Sequence, residues 1–313
     1  MAHILLLETI ESSAEKLLSS EHQIHLAQSP DTGLQVSDLD QYQALLTRGK
    51  GKVDRALLSA MPNLQVVARC GVGLDNVDVE AATDLGIKVF NAPGVNTHTV
   101  AEHAMSLIMM LVRNLVPTIL AVKDNRWSVR QGLKTDELRG KRLGIMGMGN
   151  IGQSLAGMAS SFGMEIVYWD ARKLDLPYEA LSKETLLQTA DVISLHLPLL
   201  PDTKGLISAE AIAQMKPGAI LINTARGALI EEEVLFQALQ SGHLAGFGAD
   251  VLTVEPPANA SPLLALPNVL VTPHSASLTA TTYREMCVKT VQNVLFLLKG
   301  ESFDQQAWYN RPR

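Results

Sequence analysis

The sequence predicts an α/β protein with two doubly wound parallel sheets. Three observations carry this prediction: short apolar runs alternate with helical patterns, the runs are apolar on both faces, and a glycine-rich turn directly follows one of them. Strands that are apolar on both faces are typical of parallel sheets covered by helices. A length of 313 residues is enough for two such domains.

The alternation is clearest from Lys141 onward. Strands are predicted there at 143–147, 165–170, 191–198, 219–225, 246–251 and 268–274, and in the first part of the chain at 3–7, 23–27, 44–47, 64–69 and 88–91. A helix beginning near Thr99 is strongly apolar and is expected to be buried. Residues 281–299 predict an amphipathic helix that ends at Gly300, followed by a polar tail at 301–313.

Composition and charge exclude several classes of function. The net charge of −6 comes from interspersed charges, without the basic patch of a nucleic-acid or membrane-surface binder. Cys70 and Cys287 stand far apart and have neither the spacing of metal ligands nor that of a disulfide framework, so a reducing, cytoplasmic compartment is expected. No signal peptide or membrane-spanning stretch is recognisable. We therefore expect a small-molecule partner, and no metal, nucleic acid or membrane.

A dinucleotide-binding fingerprint follows the strand at 143–147. Gly147, Gly149 and Gly152 form GxGxxG, whose glycines allow a tight turn, close approach of the pyrophosphate and close packing of the next helix. The N-terminus of that helix offers free N–H groups to phosphate. Asp170 ends the next strand, 18 residues after Gly152, near the spacing of about 20 at which an acid bonds the ribose 2′-hydroxyl. NAD is favoured because Asp170 would repel a 2′-phosphate, although nearby Arg172 leaves some use of NADP open.

Reactive side chains fall where predicted strands end, which is the edge where open α/β sheets bind ligands. A guanidinium at Arg226 suits a carboxylate and a carbonyl oxygen that gains charge during reduction. An imidazole at His274 suits proton exchange with an alkoxide near neutral pH, and Glu255 would stabilise the imidazolium if its loop folds toward it. The alternatives are a helix-capping arginine, a structural histidine and a solvated loop acid. His196 is expected to pack or bond near the cofactor.

These motifs together resemble a known family. The matching stretches run in family order: RCGVGLDNVD at 69–78, NAP at 91–93, VAE at 100–102, the glycine fingerprint, HLPL at 196–199, TARG at 224–227, DVLTVEPP at 250–257 and PH at 273–274. The chain is similar to D-isomer-specific 2-hydroxyacid dehydrogenases, and most to the catalytic part of D-3-phosphoglycerate dehydrogenases, which serve serine biosynthesis. The resemblance implies two Rossmann-like or flavodoxin-like domains with a cleft between them, a substrate-binding domain at 1–98 plus 283–313 and an NAD-binding domain at 99–282.

The resemblance also implies roles for individual residues. Arg226, Glu255 and His274 would form the catalytic set, with His274 as the acid/base and Arg226 as the anchor of the substrate carboxylate. Further substrate contacts would come from Arg48, Cys70, Gly71, Val72 and Gly73. NAD contacts would come from Val72, Gly147, Gly149, Asn150, Ile151, Gly152, Asp170, His196, Leu197, Pro198, Thr203, Thr224, Ala225, Asp250, Ser275 and Ala276.

The family usually dimerises through the cofactor domain, which here implies a homodimer whose arm, residues 115–139, embraces the partner with Trp127 as an anchor. The chain ends before the serine-binding regulatory domain of many phosphoglycerate dehydrogenases, so feedback control by that route is not expected. Ser275-Ala276-Ser277 also departs from the glycine-containing version that is common in that subgroup.

The leading hypothesis is oxidation of 3-phosphoglycerate, with Arg48 and Arg130 as phosphate-binding residues. A glyoxylate or hydroxypyruvate reductase is the nearest alternative, in which both arginines are ordinary surface charges. Phosphite oxidation would use the same three catalytic residues. A different class, an NAD-sensing protein related to transcriptional corepressors, would not need the Arg/Glu/His set.

Overall fold

The computed structural model describes residues 1–257 and 261–312, and of residues 32–34 only the backbone. Its contacts divide the chain into two compact units, one formed by Met1–Asn96 with Leu278–Arg313 and the other by Thr97–Ser277. These divisions lie two and five residues before the expected boundaries at 98/99 and 282/283. The assignment of substrate to the first unit and of NAD to the second stays a prediction.

The first unit is built on a five-stranded sheet. Its strands are β1 (His3–Leu6), β2 (Gln23–Leu26), β3 (Tyr42–Thr47), β4 (Val66–Arg69) and β5 (Lys88–Phe90), and its helices are α1 (Ser12–Ser19), α2 (Arg55–Ser59), α3 (Val79–Asp84) and α10 (Ala280–Lys299). All pairings are parallel, in the order β2-β1-β3-β4-β5. This order is the flavodoxin-like arrangement.

Both faces of this sheet are buried, which explains the apolar runs in the sequence. Leu5, Leu45 and Val67 point into one core cluster, whereas their chain neighbours Leu6 and Leu46 point into the other. Side chains alternate between the faces of a strand, so a strand covered on both faces must be apolar at every position. The second cluster is completed by α10, a segment that joins the unit from the far end of the chain.

The second unit is built on a seven-stranded sheet. Its strands are β6 (Arg142–Met146), β7 (Glu165–Trp169), β8 (Glu179–Ala180), β9 (Val192–Leu195), β10 (Ala219–Asn223), β11 (Leu244–Ala249) and β12 (Val269–Val271), and its helices are α4 (Thr97–Val112), α5 (Leu115–Lys123), α6 (Asn150–Ser161), α7 (Lys183–Thr189), α8 (Ala209–Gln214) and α9 (Glu232–Gln240). Short 3₁₀ helices occur in both units; those of the second lie at Trp127–Gly132, Gly227–Leu229 and Leu263–Ala265.

The strand order of this sheet is β12-β11-β10-β9-β6-β7-β8, and every pairing is parallel. The chain reverses its direction of travel across the sheet between β6 and β9. Such a switch point opens a crevice at the carboxyl ends of the strands, where ligands bind. The predicted fold class, two doubly wound parallel sheets, is confirmed.

Helix starts follow the capping chemistry in the sequence. Six helices begin after a residue whose side-chain oxygen accepts N–H groups of the first turn. These residues are Glu11, Asp54, Asp78, Ser182, Ser208 and Thr279. Helix α6 differs, because its N-cap is Gly149 and no side chain caps its first turn. Its N–H groups therefore stay available to a ligand.

Two details of the sequence interpretation were wrong. The short strand β8 was not predicted, since its two residues are exposed and carry no apolar pattern. The expected polar tail instead docks on the first unit: Phe303 and Trp308 pack against a core cluster, and the side chain of Asn310 accepts the N–H of Val89 at 2.8 Å. The burial of its few aromatic side chains outweighs the polar composition of the segment.

Candidate active site

Three neighbouring strands of the second unit carry the predicted catalytic residues beyond their carboxyl ends. Arg226 follows β10, Glu255 follows β11 and His274 follows β12. Because β10 pairs with β11 and β11 with β12, all in parallel, the three segments leave the sheet at the same edge. That edge is the ligand-binding edge of open α/β sheets.

His274 and Glu255 form a hydrogen-bonded pair. Nδ1 of His274 lies 2.7 Å from Oε2 of Glu255, and Oε1 of Glu255 accepts the N–H of Leu252 at 2.9 Å. The loop after β11 therefore does fold back to the histidine. A carboxylate accepts hydrogen bonds, so Nδ1 carries the proton of this bond, and Nε2 is the ring nitrogen left for another partner.

The backbone of His274 is held in a left-handed conformation, with φ at 52°. Its N–H is 2.9 Å from the carbonyl oxygens of both Asp250 and Thr272. The carboxylate of Asp250 accepts the N–H groups of Ser275 and Ala276, each at 2.8 Å, and the hydroxyl of Thr272. The hydrogen bonds that hold the turn of His274 therefore join three residues predicted to contact NAD: Asp250, Ser275 and Ala276.

Arg226 stands on a turn that is fixed by an asparagine. The side chain of Asn223 donates to the carbonyl of Arg226 at 2.8 Å and accepts the N–H of Ala225 at 3.0 Å. Nη1 of Arg226 donates to the carbonyl of Ala225 at 2.7 Å. Gly227 brings this turn against the backbone of Leu252, whose N–H binds the loop carboxylate. The arginine and the carboxylate therefore occupy adjoining turns.

The glycine fingerprint forms the turn that a dinucleotide requires. Gly147 has φ at 96°, and a Cβ there would lie 2.5 Å from the carbonyl oxygen of His196. A Cβ on Gly152 would lie 2.3 Å from the carbonyl oxygen of Gly147. Gly149 has no atom within 4 Å of a Cβ position, so its outer face is open where α6 begins at Asn150. This open turn fits a pyrophosphate group.

Asp170 is an ionised acceptor next to that turn. Its carboxylate accepts the N–H of Met148 at 2.8 Å and three N–H groups of Arg172 at 2.9 to 3.1 Å. The hydrogen bond from the Arg172 side chain, together with these backbone donors, lowers the pKa of Asp170 to about 2. The Arg172 side chain is 65% exposed and that of Asp170 only 7%. A ribose that binds Asp170 would compete with the more exposed partner, the guanidinium.

The loops after β9 and β10 contain the uncharged imidazole of His196 and the buried hydroxyl of Thr224. Nε2 of His196 lies 2.8 Å from Oγ of Ser194, and burial lowers the pKa of His196 to about 4, so the ring is uncharged near neutral pH. Oγ1 of Thr224 is buried without a hydrogen-bond partner among residues 1–257 and 261–312. A buried hydroxyl of this kind usually has a partner, which a bound ligand would supply.

Further predicted NAD contacts of the second unit lie in the loop after β9 and at the start of α6. Leu197 lies beside the glycine turn, 2.9 Å from the Cβ position of Gly147. The hydroxyl of Thr203 donates to the carbonyl of Pro198 at 2.7 Å and accepts the N–H of Leu200 at 2.8 Å. These bonds hold the loop after β9, while Ile151, in the first turn of α6, packs partly into the core.

The predicted substrate residues of the first unit form two groups. Around Arg48, the carboxylate of Glu8 accepts the N–H groups of residues 48, 49 and 50 at 2.8 to 3.0 Å. Nη1 of Arg48 lies 3.2 Å from the hydroxyl of Tyr283 and 3.3 Å from the carbonyl of Thr9, and the guanidinium lies over the Tyr283 ring. Arg130 is on a 3₁₀ helix of the second unit.

The second group is the loop after β4. Cys70 is buried, and the carbonyls of Gly71 and Val72 accept hydrogen bonds from the backbone of Ala92 and the side chain of Asn91 at 2.9 and 2.7 Å. These bonds fix the loop that continues into Gly73 and turn its carbonyls toward the protein. The N–H of Cys70 donates to the carbonyl of Thr47 at 2.9 Å and that of Gly71 to the carbonyl of Arg69 at 2.8 Å. The N–H groups of Val72 and Gly73 are therefore the candidates for a substrate carboxylate.

The described parts of the chain contain neither a cluster of metal ligands nor a single helix that could cross a membrane. Residues 1–257 and 261–312 contain no group of three or more His, Cys, Asp or Glu side chains placed to hold a metal ion. Within the same residues, no single helix is long and apolar enough to cross a membrane; α4 and α5 meet the length and composition only as a pair, which is bent by 66°.

Sequence reasoning missed three polar residues near this site. Asn223 fixes the arginine turn, and Thr272 and His103 bond to each other at 2.8 Å beside Asp250. Asn223 and Thr272 stand at strand ends, which was a usable signal. His103 lies within an apolar helical pattern, 169 residues from Thr272, and no local signal points to it.

Comparisons with known proteins agree with this geometry. The sequence model described as "D-isomer specific 2-hydroxyacid dehydrogenase, NAD binding domain" matches residues 105–276. The chain is 41% identical over 260 residues to a hydroxypyruvate reductase of Thermotoga maritima, covering 82% of this chain and 85% of that protein. It is 38% identical over 303 residues to a D-3-phosphoglycerate dehydrogenase of Mycobacterium leprae, covering 95% of this chain but only 57% of that protein.

A solved structure extends the likeness to the whole fold. The TT0316 protein of Thermus thermophilus superimposes with a TM-score of 0.90 at 37% identity, covering 96% of this chain and 98% of that one. The two sheets, the glycine turn and the strand-end residues therefore occur in a framework shared with this relative.

Proposed function

Because this chain belongs to the family of D-isomer-specific 2-hydroxyacid dehydrogenases, which are NAD-dependent oxidoreductases, we propose that it moves a hydride between NAD and C2 of a small D-2-hydroxy acid. The observation that carries the proposal is the 2.7 Å pair between Nδ1 of His274 and Oε2 of Glu255. A pair of this kind is what a proton-exchanging histidine requires.

In this proposal His274 handles the proton. During reduction of a 2-keto acid, Nε2 of His274 gives its proton to the C2 oxygen, and in the reverse direction it takes that proton from the hydroxyl. Glu255 stabilises the imidazolium and keeps the ring oriented through Nδ1. The cofactor, when bound, would supply the hydride as NADH in reduction and accept it as NAD⁺ in oxidation.

Arg226 is proposed to bind and orient the substrate. A guanidinium fits a carboxylate with two parallel hydrogen bonds, and it also stabilises negative charge on the neighbouring C2 oxygen. Asn223 supports this role, because it fixes the backbone on both sides of the turn. The loop of Cys70, Gly71, Val72 and Gly73 is proposed to provide further donors to the substrate carboxylate through the N–H groups of Val72 and Gly73, since those of Cys70 and Gly71 bond to backbone carbonyls.

The NAD contacts proposed for the second unit rest on three features. They are the open glycine turn at the uncapped start of α6, the ionised Asp170, and the buried hydroxyl of Thr224. The negative charge of Asp170 disfavours a 2′-phosphate, so we propose NAD rather than NADP as the main cofactor.

The substrate is proposed to be 3-phosphoglycerate. One support is the presence of phosphoglycerate dehydrogenases among the relatives. The other is Arg48, whose side chain is 33% exposed and contacts both the hydroxyl of Tyr283 and the carboxylate of Glu8. The second candidate is reduction of hydroxypyruvate or glyoxylate. It is favoured by relatives named for those activities, because this chain covers 85% and 82% of their length, against 57% for the Mycobacterium leprae protein.

One assay separates these candidates from each other and from a protein that only senses NAD. Purified protein is incubated with NADH and 2-keto acids, including 3-phosphohydroxypyruvate, hydroxypyruvate and glyoxylate, while the absorbance of reduced nicotinamide is followed. Turnover supports the dehydrogenase; binding of NADH without turnover of any compound contradicts it. Arg48→Ala should raise KM for the phosphorylated compound far more than for glyoxylate, and an equal effect on both would remove the phosphate proposal.

A homodimer through the arm at residues 115–139 is also part of the proposal. Six large apolar side chains are exposed there: Leu115, Ile119, Leu120, Val122, Trp127 and Leu133. Exposed apolar groups clustered on one segment are typical of an interface. A cytoplasmic location completes the proposal and is supported by two free thiols, Cys70 and Cys287.

A further inference from the structure

Helix α4 places an imidazole beside the turn that carries His274. Nε2 of His103 lies 2.8 Å from Oγ1 of Thr272 and 3.8 Å from Oδ1 of Asp250. The side chain of His103 is 25% exposed and that of Asp250 only 2%. All of these residues belong to the second unit.

The hydrogen bonds of Thr272 determine which nitrogen of His103 carries a proton. A threonine hydroxyl has one hydrogen to donate, and a carboxylate can only accept. Because the hydroxyl of Thr272 donates to Asp250, it must accept from His103. His103 is therefore protonated at Nε2, and a chain of hydrogen bonds runs from His103 through Thr272 to Asp250.

Asp250 connects this chain of hydrogen bonds to the turn that carries His274. Its carboxylate accepts the N–H groups of Ser275 and Ala276, and its carbonyl accepts that of His274. The left-handed backbone of His274 costs energy for a residue with a side chain, so it persists only when the surroundings hold it. Proton transfer also depends on the placement of the imidazole to a fraction of an ångström.

We propose that His103 is a positioning residue for the acid/base histidine: through the hydroxyl of Thr272 and the carboxylate of Asp250, it holds the turn of His274 in its active conformation. This inference rests on the proposed function, in which His274 exchanges the proton. His103 itself acts through Thr272 and takes no proton from the substrate.

A second histidine on the same helix provides a matched control. Nδ1 of His98 lies 3.1 Å from Oγ of Ser154, so this histidine also bonds a hydroxyl of a neighbouring element. Ser154, however, lies in α6 and not beside the histidine turn. Loss of either imidazole removes one histidine–hydroxyl bond from the same helix. Only the loss of His103 is expected to disturb His274.

The first test uses NMR of the histidine rings and does not depend on turnover. We expect the ring nitrogens of His103 to report the Nε2–H tautomer, and the ring signals of His274 to shift and broaden in His103→Leu but not in His98→Leu. An Nδ1–H tautomer for His103, or unchanged His274 signals in His103→Leu, would overturn the proposal.

The second test uses kinetics. His103→Leu and the near-isosteric Thr272→Val should each lower kcat on the order of tenfold while the Kd of NADH stays within about twofold. His103→Gln, whose amide also donates, should recover most of the lost rate. Since both residues act through one chain, the double variant should be no slower than Thr272→Val alone.

The outcomes separate this inference from the proposed function. A wild-type protein with no turnover contradicts the proposed function, and the NMR comparison then decides the role of His103. If the wild type is active, three results overturn the inference. They are a His103→Leu variant as active as the wild type, no recovery of the rate in His103→Gln, and effects of the two substitutions that multiply in the double variant. An equal loss of kcat in His98→Leu would show a general effect on α4 and would overturn it as well.

Discussion

The backbone at Gly227 is packed directly against the peptide group that follows Leu252. A Cβ at Gly227 would lie 2.0 Å from the carbonyl carbon of Leu252 and 2.3 Å from the nitrogen of Thr253. No side chain fits in that space. The turn that carries Arg226 and the loop that leads to Glu255 are therefore held at a fixed separation by backbone contact.

Gly227→Ala should lower both stability and substrate affinity. The added methyl group must push the two backbones apart, which costs about 1–3 kcal/mol of the free energy of unfolding and moves Arg226, so KM should rise. Urea unfolding and steady-state kinetics measure the two effects. Gly157→Ala, inside α6 with no atom within 4 Å of the new methyl, is the control and should stabilise by about 0.5–1 kcal/mol. Wild-type unfolding of Gly227→Ala would refute the packing argument.

Loss of the carboxylate at Glu255 should slow the proton step and leave cofactor binding intact. We expect His274→Gln to lower kcat by about 10²–10⁴-fold, and Glu255→Gln to lower it less because the imidazole remains. The Kd of NADH, from nicotinamide fluorescence, should not change. Glu285→Gln, which removes an exposed helical carboxylate of the first unit, serves as the control. A kcat unaffected by Glu255→Gln would exclude the pair from catalysis.

Asp170 should contribute to stability in a pH-dependent way. Its pKa is about 2 in the folded protein and 3.8 ordinarily, so the unfolded chain binds the proton first as the pH falls. The stabilisation is present above about pH 4 and is lost as the pH falls toward 2. Urea unfolding at neutral and acid pH should therefore show a smaller pH difference for Asp170→Asn than for the wild type. Arg172→Leu, which removes the main cause of the shift, should reduce the difference as well; equal differences in all three proteins would contradict this account.

The buried hydroxyl of Thr224 predicts opposite effects on stability and on binding. Thr224→Val removes a buried polar group without a partner in the described residues, so the free energy of unfolding without ligand should stay equal or rise by up to about 1–3 kcal/mol. Affinity for NADH should fall because the hydroxyl no longer meets the ligand. Thr203→Val, which loses two hydrogen bonds, is the control and should destabilise. Unchanged NADH affinity in Thr224→Val would argue against this contact.

The exposed arm should control the oligomeric state. Trp127 is 67% exposed, and replacing it with Asp puts a charge into the proposed interface, which is costly when buried. Sedimentation should show a dimer for the wild type and a monomer for Trp127→Asp. Phe162→Asp, at an exposed apolar residue outside the arm, should leave the dimer intact. A monomeric wild type would rule out the dimer proposal.

Most of the fold could be predicted because its signals are local. Strands buried on both faces give continuous apolar runs, and the glycine turn needs its three residues within six positions, so both are visible without knowledge of the rest of the chain. The sheet order is not local, yet parallel pairing limits the choices. The short strand β8 and the docked tail gave no pattern of their own, since β8 is held by one neighbour and the tail by aromatic contacts with distant residues.

The candidate site was predictable where chemistry coincides with a strand end, as for Arg226 and His274. The residues that hold these groups in place were not predictable. Asn223 differs from any strand-end asparagine only through its bonds to the next turn, and His103 only through a contact with a residue far along the chain. Supporting residues are defined by their neighbours in space, which a single sequence does not list.

The discontinuity of the first unit affects how this protein can be made. During synthesis, residues 1–96 emerge first, but the sheet face formed by Leu6, Leu46 and Ala68 needs α10 to cover it. The second unit is continuous, so all of its residues can leave the ribosome while α1 alone covers part of that apolar face. The domain translated first is thus completed last, and a chain truncated before residue 278 would expose the face permanently and favour aggregation.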